Sequence, residues 1–284
     1  MPLLDLLLEK NPIKLLLEKW GFSKAVFPVT AFAQNRSSER AAEMAKIKES
    51  GALTNPKTRK GVDLLTKFTQ AQHEHPDFMT DTQVLTAAVS MVFAGSETTA
   101  ISLSAVFYHL LRHPAAHAKL MQELDEAVQN GVIAERPNGA VSWAESQKLP
   151  YLDAVVQESF RLHPAAGLVL ERVVPAQGIE VLGERIPGGT IVGCNAWVLH
   201  RRPEVFGEDV DAFRPERWIE AGPEKLREMK ATMFQFGAGA RTCIGRHIST
   251  FEIQKLVPSL LRRFEVCCPK SHASTRISTH VYTD

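Results

Sequence analysis

The stretch that decides the fold lies near the C-terminal end of the chain and reads Phe236-Gly237-Ala238-Gly239-Ala240-Arg241-Thr242-Cys243-Ile244-Gly245. Glycine lets a backbone turn tightly and approach a flat ligand without a Cβ in the way. An apolar, amphipathic run follows, so Cys243 is predicted at the mouth of a helix, where free N–H groups and the helix dipole lower the pKa of a thiol. The pattern indicates a metal-binding thiolate. Arg241 is placed to form a bidentate pair with a carboxylate of the same ligand.

Taken alone, Cys243 has a simpler interpretation, which is a glycine-rich turn around a buried structural cysteine. The other cysteines do not help to decide, because Cys194, Cys267 and Cys268 are too few and too irregularly spaced for a disulfide scaffold. No pair of cysteines has the C-x-x-C spacing that indicates zinc. This cysteine usage predicts a reduced, intracellular setting.

The longest predicted helix begins at Thr80 and ends at the His113-Pro114 pair. Thr80 and Gln83 form a capping-box pattern. At ~1.5 Å per residue the helix is roughly 45–50 Å long. The residues from Val84 to Phe93 are apolar on nearly every side, so we expect this helix to be buried all round.

A polar cluster interrupts this helix at its middle, where the sequence reads Ala94-Gly95-Ser96-Glu97-Thr98-Thr99. Glycine weakens a helix, and Ser or Thr hydroxyls compete for its carbonyl groups and bend it. A buried Glu97 is costly unless it has a partner or handles protons. The alternative is a kinked helix whose polar side faces a groove.

Two charged motifs occur between the long helix and the cysteine loop. Glu158 and Arg161 are three residues apart on a predicted helix and therefore share one face. The plain interpretation is a surface ion pair worth ~0–1 kcal/mol. About 55 residues further on, a second motif reads Pro215-Glu216-Arg217-Trp218.

The remaining segments predict a helical body with a small β-sheet beside it. The expected helices are 36–49, 62–72, 115–130, 150–163 and 246–263. The expected strands are 168–174, 179–182 and 190–192. Arg172 lies in the first strand, where an arginine is usually an exposed surface residue.

Together, these motifs resemble those of the cytochrome P450 haem-thiolate monooxygenases, in order and in spacing, over about residues 80–264. The loop residues that match the family pattern are Phe236, Gly239, Arg241, Cys243 and Gly245. The short loops around residues 186–190 resemble eukaryotic members, with fungal ones among them.

The resemblance implies a mainly α, partial cytochrome P450-like helical fold with a small β-sheet, as one truncated domain over residues 1–284. It implies haem b (iron protoporphyrin IX) as cofactor, with Cys243 as the iron ligand. The implied reaction inserts one oxygen atom from O₂ into a small organic substrate, with electrons from an NADPH-dependent reductase.

The resemblance also assigns roles to single residues. Glu97 and Thr98 would deliver protons to oxygen, and Arg172 and Arg241 would neutralise the haem propionates. Glu158, Arg161 and Arg217 would form a structural triad behind the haem. The substrate pocket would include Ala94, Gly95, Ala165, Ala166 and Val169.

Composition sets outer limits on function. The 284 residues are 44% hydrophobic, which is enough for a sizeable core. A net charge of +1 argues against nucleic acid as a partner. The first ten residues are leucine-rich but contain Asp5, Glu9 and Lys10, so they match neither a signal peptide nor an apolar span of about 20 residues. We therefore predict no membrane segment in this chain.

Two departures from the family pattern lead to an alternative function. The long N-terminal portion of the family, with its membrane anchor, is not recognisable, and neither are the C-terminal strands after Phe264. The chain thus looks like the C-terminal part of a monooxygenase. The alternative is a catalytically inactive truncated remnant, at most a haem-binding or helical interaction module.

Full-length relatives are expected at the endoplasmic reticulum membrane, whereas a chain without an anchor is expected to be cytoplasmic or of unknown location.

Overall fold

The computed structural model describes residues 28–49, 63–136 and 139–266 and has a mainly helical fold. The helices in these ranges are α1 Pro28–Glu49, α2 Leu64–Glu74, α3 Asp81–Arg112, α4 Pro114–Gln129, α5 Trp143–Ser146, α6 Pro150–Leu162, α7 Ala196–Leu199, α8 Pro203–Phe206, α9 Arg217–Glu220, α10 Pro223–Thr232 and α11 Arg246–Leu261. The strands are β1 Leu170–Val173, β2 Ile179–Val181, β3 Glu184–Ile186 and β4 Ile191–Cys194, and a short 3₁₀ helix spans Gly239–Arg241. The N-terminal leucine-rich pieces, Cys267 and Cys268 lie outside the described residues.

The chain divides into two compact units, Met1–Ala94 and Gly95–Asp284. In the first unit, Arg40 of α1 reaches α2, because its guanidinium donates to Thr66 Oγ1 at 3.0 Å and pairs with Asp63 at 3.2 Å. Asp63 also caps α2 by accepting the Thr66 N–H at 2.8 Å. The prediction of a single domain over residues 1–284 stays a prediction.

Helix α3 has the predicted bounds to within one residue at each end. The capping box is confirmed, because Gln83 Oε1 accepts the Thr80 N–H at 3.0 Å and Thr80 Oγ1 accepts the Gln83 N–H at 3.4 Å. Within the described residues, α3 is the one helix long and apolar enough to cross a membrane, a property that core helices share. The predicted absence of a membrane segment stays a prediction.

The expectation that α3 is buried all round is wrong. Within the second unit, Val106 and Leu110 are buried, whereas Tyr108 is 58% exposed and Ile101 is also exposed. An apolar helix is covered only where another element packs on it. Among the described residues of this unit, that cover lies on one side of the helix.

The core of the second unit is built around α6, most of whose residues are buried. One side of α6 packs into the larger core cluster with buried residues of α3, α4 and α11, among them Val106, Leu120, Leu124, Val155, Phe160, Ile253 and Val257. Its Ala154 joins a smaller cluster with Val205, Phe206, Trp218 and Met229. Each large apolar side chain buried in this way contributes about 1.5–3 kcal/mol. Helix α6 is therefore the element against which the rest of the unit is assembled.

The β part consists of two antiparallel pairs instead of one small sheet. Strand β1 pairs with β4, with Leu170 opposite Cys194, and β2 pairs with β3 across a tight turn. In that turn Leu182 and Gly183 have φ angles of 53° and 84°. Strand β3 was not predicted, because its three residues include Glu184 and Arg185 and show no apolar alternation.

Candidate functional site

The loop before α11 folds back on itself. Gly237 and Gly239 both have a φ angle of 67°, in the left-handed region that other residues rarely adopt. The Gly237 N–H donates to the Phe234 carbonyl at 2.9 Å, and the Cys243 N–H donates to the Phe236 carbonyl at 2.8 Å. These bonds close the loop and hold Cys243 at its end.

Cys243 is exposed and lies just before α11, whose N-cap residue is Gly245. A Cβ on Gly245 would lie 3.8 Å from the Cys243 sulfur, so glycine leaves the space beside the sulfur open. Ile244, the next residue in the chain, is 88% exposed, so an exposed apolar side chain directly follows the thiol. The alternative of a buried structural cysteine is wrong.

The polar cluster of α3 lies against α11. Thr99 Oγ1 donates to Ser249 Oγ at 3.2 Å, which joins the cluster to the helix that follows the cysteine loop. Glu97 and Thr98 are exposed, so Glu97 does not carry the cost of a buried charge. A Cβ on Gly95 would meet no atom within 4 Å, so this position borders open space.

The other predicted ligand and substrate residues lie at or near the surface. Arg172 and Arg241 are exposed, and Arg172 Nη1 donates to the Glu171 carbonyl at 2.6 Å. Strand β1 begins beside the cysteine loop, because a Cβ on Gly237 would lie 3.5 Å from Leu170 Cδ1. The predicted substrate residues are exposed or half-buried: Ala94, Gly95, Ala165, Ala166 and Val169.

A cleft of about 850 Å³ lies in the second unit, next to α3. Its lining includes Glu97, Tyr108, His163 and Trp197. Neither Cys243 nor any of the predicted substrate residues lines this cleft. The thiolate chemistry predicted from the sequence is therefore not located there.

Glu158 and Arg161 form the centre of a buried charge network. Both side chains are 0% exposed, and they make a bidentate pair with distances of 2.9 Å from Nε to Oε2 and 2.8 Å from Nη2 to Oε1. Arg217 Nε donates to Glu158 at 3.3 Å and the Trp218 indole N–H donates to it at 2.9 Å. A buried charge needs such partners, because the loss of hydration is expensive. The alternative of a surface ion pair is wrong.

Asp209 extends this network and was not found in the sequence analysis. Its carboxylate accepts hydrogen bonds from Arg217 Nη1 and Arg214 Nε, both at 2.8 Å. The hydrogen bond from Arg217, with that from Arg214, outweighs burial and lowers the pKa of Asp209 to about 2. The available signal was an acidic residue a few positions before the Pro-Glu-Arg-Trp motif.

His200 is the second residue that the sequence analysis missed. Its side chain is fully buried, its Nε2 accepts the Phe234 N–H at 2.7 Å, and its Nδ1 lies 3.0 Å from the Arg161 carbonyl oxygen. Burial, aided by the charge of Arg161, lowers the pKa of His200 to about 4. No local sequence pattern identifies His200, because its two hydrogen-bond partners, Arg161 and Phe234, are distant in the sequence.

The residues around Cys243 fit a flat metal-bearing cofactor with carboxylate groups. The thiol offers one soft ligand, the apolar side chain of the next residue, Ile244, is exposed, and Arg241 provides an exposed guanidinium from the same loop. Within the described residues, no group of three or more His, Cys, Asp or Glu side chains could hold a metal ion. A cofactor such as haem brings further ligands for its own metal, so a single protein thiolate can serve as the protein ligand.

The sequence comparisons point to one family. The family model described as Cytochrome P450 matches residues 26–281. A cytochrome P450 monooxygenase of Aspergillus terreus is 42% identical over 267 residues, which are 94% of this chain and 51% of that protein. The cytochrome P450 monooxygenase cicH of Emericella nidulans is 46% identical over 204 residues, which are 72% of this chain and 40% of the relative.

A third relative carries a more specific name. The pisatin demethylase of Fusarium vanettenii is 43% identical over 173 residues, covering 61% of this chain and 32% of its own length. The chain therefore spans about half the length of the first of these relatives and less of the other two.

Proposed function

Because the chain belongs to the cytochrome P450 family, we propose that it supplies the cysteine-ligand part of a haem-dependent monooxygenase. The proposed reaction inserts one atom of O₂ into a small organic substrate. The observation that carries this proposal is the exposed Cys243 thiol, held by a closed glycine loop directly before α11. The names of the fungal relatives support the same reaction class.

The proposed cofactor is haem b, with Cys243 as its one protein ligand to iron. When bound, the haem would supply the redox chemistry that activates dioxygen. Gly239 and Gly245 would allow the loop backbone to approach the cofactor, and Phe236 is a further proposed cofactor-binding residue of the same loop. Arg241 and Arg172, both exposed, would each form charge-assisted hydrogen bonds to a propionate.

Proton handling is proposed for Glu97 and Thr98. A carboxylate and a hydroxyl on consecutive helical residues can accept and pass on a proton. Both side chains are exposed on α3, next to Thr99, which contacts α11. Within the second unit, the substrate is proposed to lie beside Gly95, Ala165, Ala166 and Val169.

Electrons are proposed to come from an NADPH-dependent reductase, and the endoplasmic reticulum membrane is the proposed location of the whole protein. The near-zero net charge supports the proposal that nucleic acid is not a partner. The structural role falls to Glu158, Arg161 and Arg217, whose buried pairing supports a function in holding the fold.

The test is the reduced carbon monoxide spectrum of the haem-loaded chain. Thiolate ligation gives a red-shifted band, which we expect in the parent chain and in Cys194→Ala, and which we expect to disappear in Cys243→Ala. Cys194 is the matched control, since it is the other exposed free cysteine of the described residues. A band that survives in Cys243→Ala contradicts the assignment. A parent chain without any band supports the inactive remnant instead.

A further inference from the structure

His200 lies between the buried charge network and the cysteine loop. On one side, its Nδ1 faces the Arg161 carbonyl oxygen at 3.0 Å. On the other side, its Nε2 lies 2.7 Å from the Phe234 backbone nitrogen. An N–H group donates, so Nε2 is the acceptor and carries no proton, and Nδ1 must hold the proton that it donates to Arg161. The geometry therefore fixes one neutral tautomer.

The surroundings of His200 favour that neutral form. Its side chain is fully buried, and the charged groups that act on it are Arg161 from α6 and Arg201 from its own segment. Arg161 Nη1 also donates to the His200 carbonyl at 3.0 Å, so the two residues are joined twice. Protonation at Nε2 would place an N–H group against the Phe234 N–H and break the bond to the loop.

Two backbone hydrogen bonds of the loop lie between Phe234 and Cys243. The Phe234 carbonyl accepts the Gly237 N–H, and the Phe236 carbonyl accepts the Cys243 N–H. The Phe236 ring contacts Phe160 of α6 edge to face, with centroids 5.5 Å apart. The entry to the loop is thus attached to α6 by one hydrogen bond through His200 and by one aromatic contact.

We propose that His200 is a positioning residue for Cys243. Its imidazole ties the Glu158–Arg161–Arg217 network to the entry of the cysteine loop and thereby sets the place of the thiol. The purpose of this placement, iron ligation, rests on the proposed function. The placement itself belongs to this chain and is measurable without haem.

Two substitutions separate the two bonds of the imidazole. The amide nitrogen of Asn reaches the position of Nδ1, so His200→Asn keeps a donor for Arg161 and loses the acceptor for Phe234. The amide oxygen of Gln reaches the position of Nε2, so His200→Gln keeps that acceptor. His200→Asn loses the hydrogen bond to the Phe234 N–H and so releases the loop. His200→Gln loses the hydrogen bond to the Arg161 carbonyl oxygen and keeps the loop bonded.

The experiment measures amide hydrogen exchange at Phe234 and the alkylation rate of Cys243 in the haem-free chain. We expect exchange at Phe234 to rise at least about tenfold in His200→Asn, the effect of ~1.4 kcal/mol, and to stay near the parent value in His200→Gln. Alkylation of Cys243 should change in the Asn variant alone, while that of Cys194 stays constant. Equal behaviour of the two variants overturns the proposal.

A measurement on the unaltered chain tests the proposal even if His200→Asn does not fold. The ¹⁵N shifts of His200 report which ring nitrogen is protonated. We expect a proton on Nδ1 and none on Nε2 near neutral pH, and a proton on Nε2 overturns the proposal. A parent chain without a carbonyl band, or a band that survives in Cys243→Ala, would together with these results remove the proposed function and leave the positioning role intact.

Discussion

Two regions of the second unit hold charged side chains, and they surround them in different ways. Glu158 is 0% exposed and accepts hydrogen bonds from Arg161, Arg217 and Trp218. Around the cysteine loop, by contrast, the Cys243 thiol and the Arg241 guanidinium are exposed. The chain itself satisfies the charges of the network, whereas the thiol and the guanidinium of the loop face outward. The difference supports the proposal that the network holds the fold and that the loop binds a ligand.

The largest effect is expected from breaking the buried network. Glu158→Gln leaves the buried Arg161 guanidinium without a counter-charge, while Arg217 keeps Asp209, so we expect a loss of about 3–5 kcal/mol in the free energy of unfolding. Arg172→Ala, at an exposed position, should change it by less than about 0.5 kcal/mol. Urea unfolding of the two variants measures both values. Similar losses in both would remove the distinction between the regions.

The pH dependence of stability gives the next effect. In the unfolded chain His200 binds a proton below its ordinary pKa of 6.5, whereas burial lowers its pKa in the folded chain to about 4. The unfolded state therefore binds more protons in this window, and stability falls as the pH is lowered from 6.5 towards 4. The expected loss is about 1–3 kcal/mol.

His109 acts in the same direction, because burial lowers its pKa to about 4 as well. Asp209 contributes only below its ordinary pKa of 3.8 and so lies outside this window. Urea unfolding at pH 7 and pH 5 should show a shallower pH dependence in His200→Gln than in the parent chain. An equal pH dependence of the unfolding free energy in the two chains would mean that His200 is not buried in its neutral form.

Haem retention tests the outward-facing arginines. In Arg172→Ala combined with Arg241→Ala, two charge-assisted hydrogen bonds to the cofactor are lost, and we expect haem to dissociate more than about tenfold faster. The position of the carbonyl band should not move, because Cys243 remains the ligand. Arg185→Ala is the control, since Arg185 is an exposed arginine of β3. Unchanged haem loss in the double variant contradicts the propionate role.

The smallest effect on the fold is expected at the polar cluster of α3. Thr98→Ala should alter stability by less than about 0.5 kcal/mol, because Thr98 is exposed. Haem retention should be unaffected. In a chimera completed by the first half of the Aspergillus terreus relative, the variant should divert consumed O₂ to peroxide. Ser104→Ala, also exposed on α3, is the control, and equal coupling in both chimeras would exclude the role of Thr98.

The predictable part of the fold follows from local chemistry. The bounds of α6 agree with the prediction to within one residue, because Pro150 starts the helix and Pro164 prevents its continuation. The capping box at Thr80 likewise marks a helix start that the structure contains. The cysteine loop was visible in the sequence because its glycines are required by the backbone conformation at Gly237 and Gly239.

The parts that were not predicted depend on contacts between distant segments. Periodicity identifies the apolar sides of α3, but it does not say which sides another element covers, so the exposure of Tyr108 was missed. His200 carries no local motif, since its partners lie on distant segments, whereas Asp209 was missed although Arg214 and Arg217 follow it by only five and eight residues. Strand β3 exists because it pairs with β2, and not because its own residues favour a strand.

We infer that the cysteine loop is the region of this chain whose contacts are completed by a bound ligand. The most direct measurement is amide hydrogen exchange of the chain before and after haem is added, compared with the same pair of spectra for Cys243→Ala. We expect haem to increase protection across residues 234–249 in the parent chain but not in Cys243→Ala, with little change at Glu158 to Arg161. Equal protection in both chains, or protection gained mainly at α6, would contradict it.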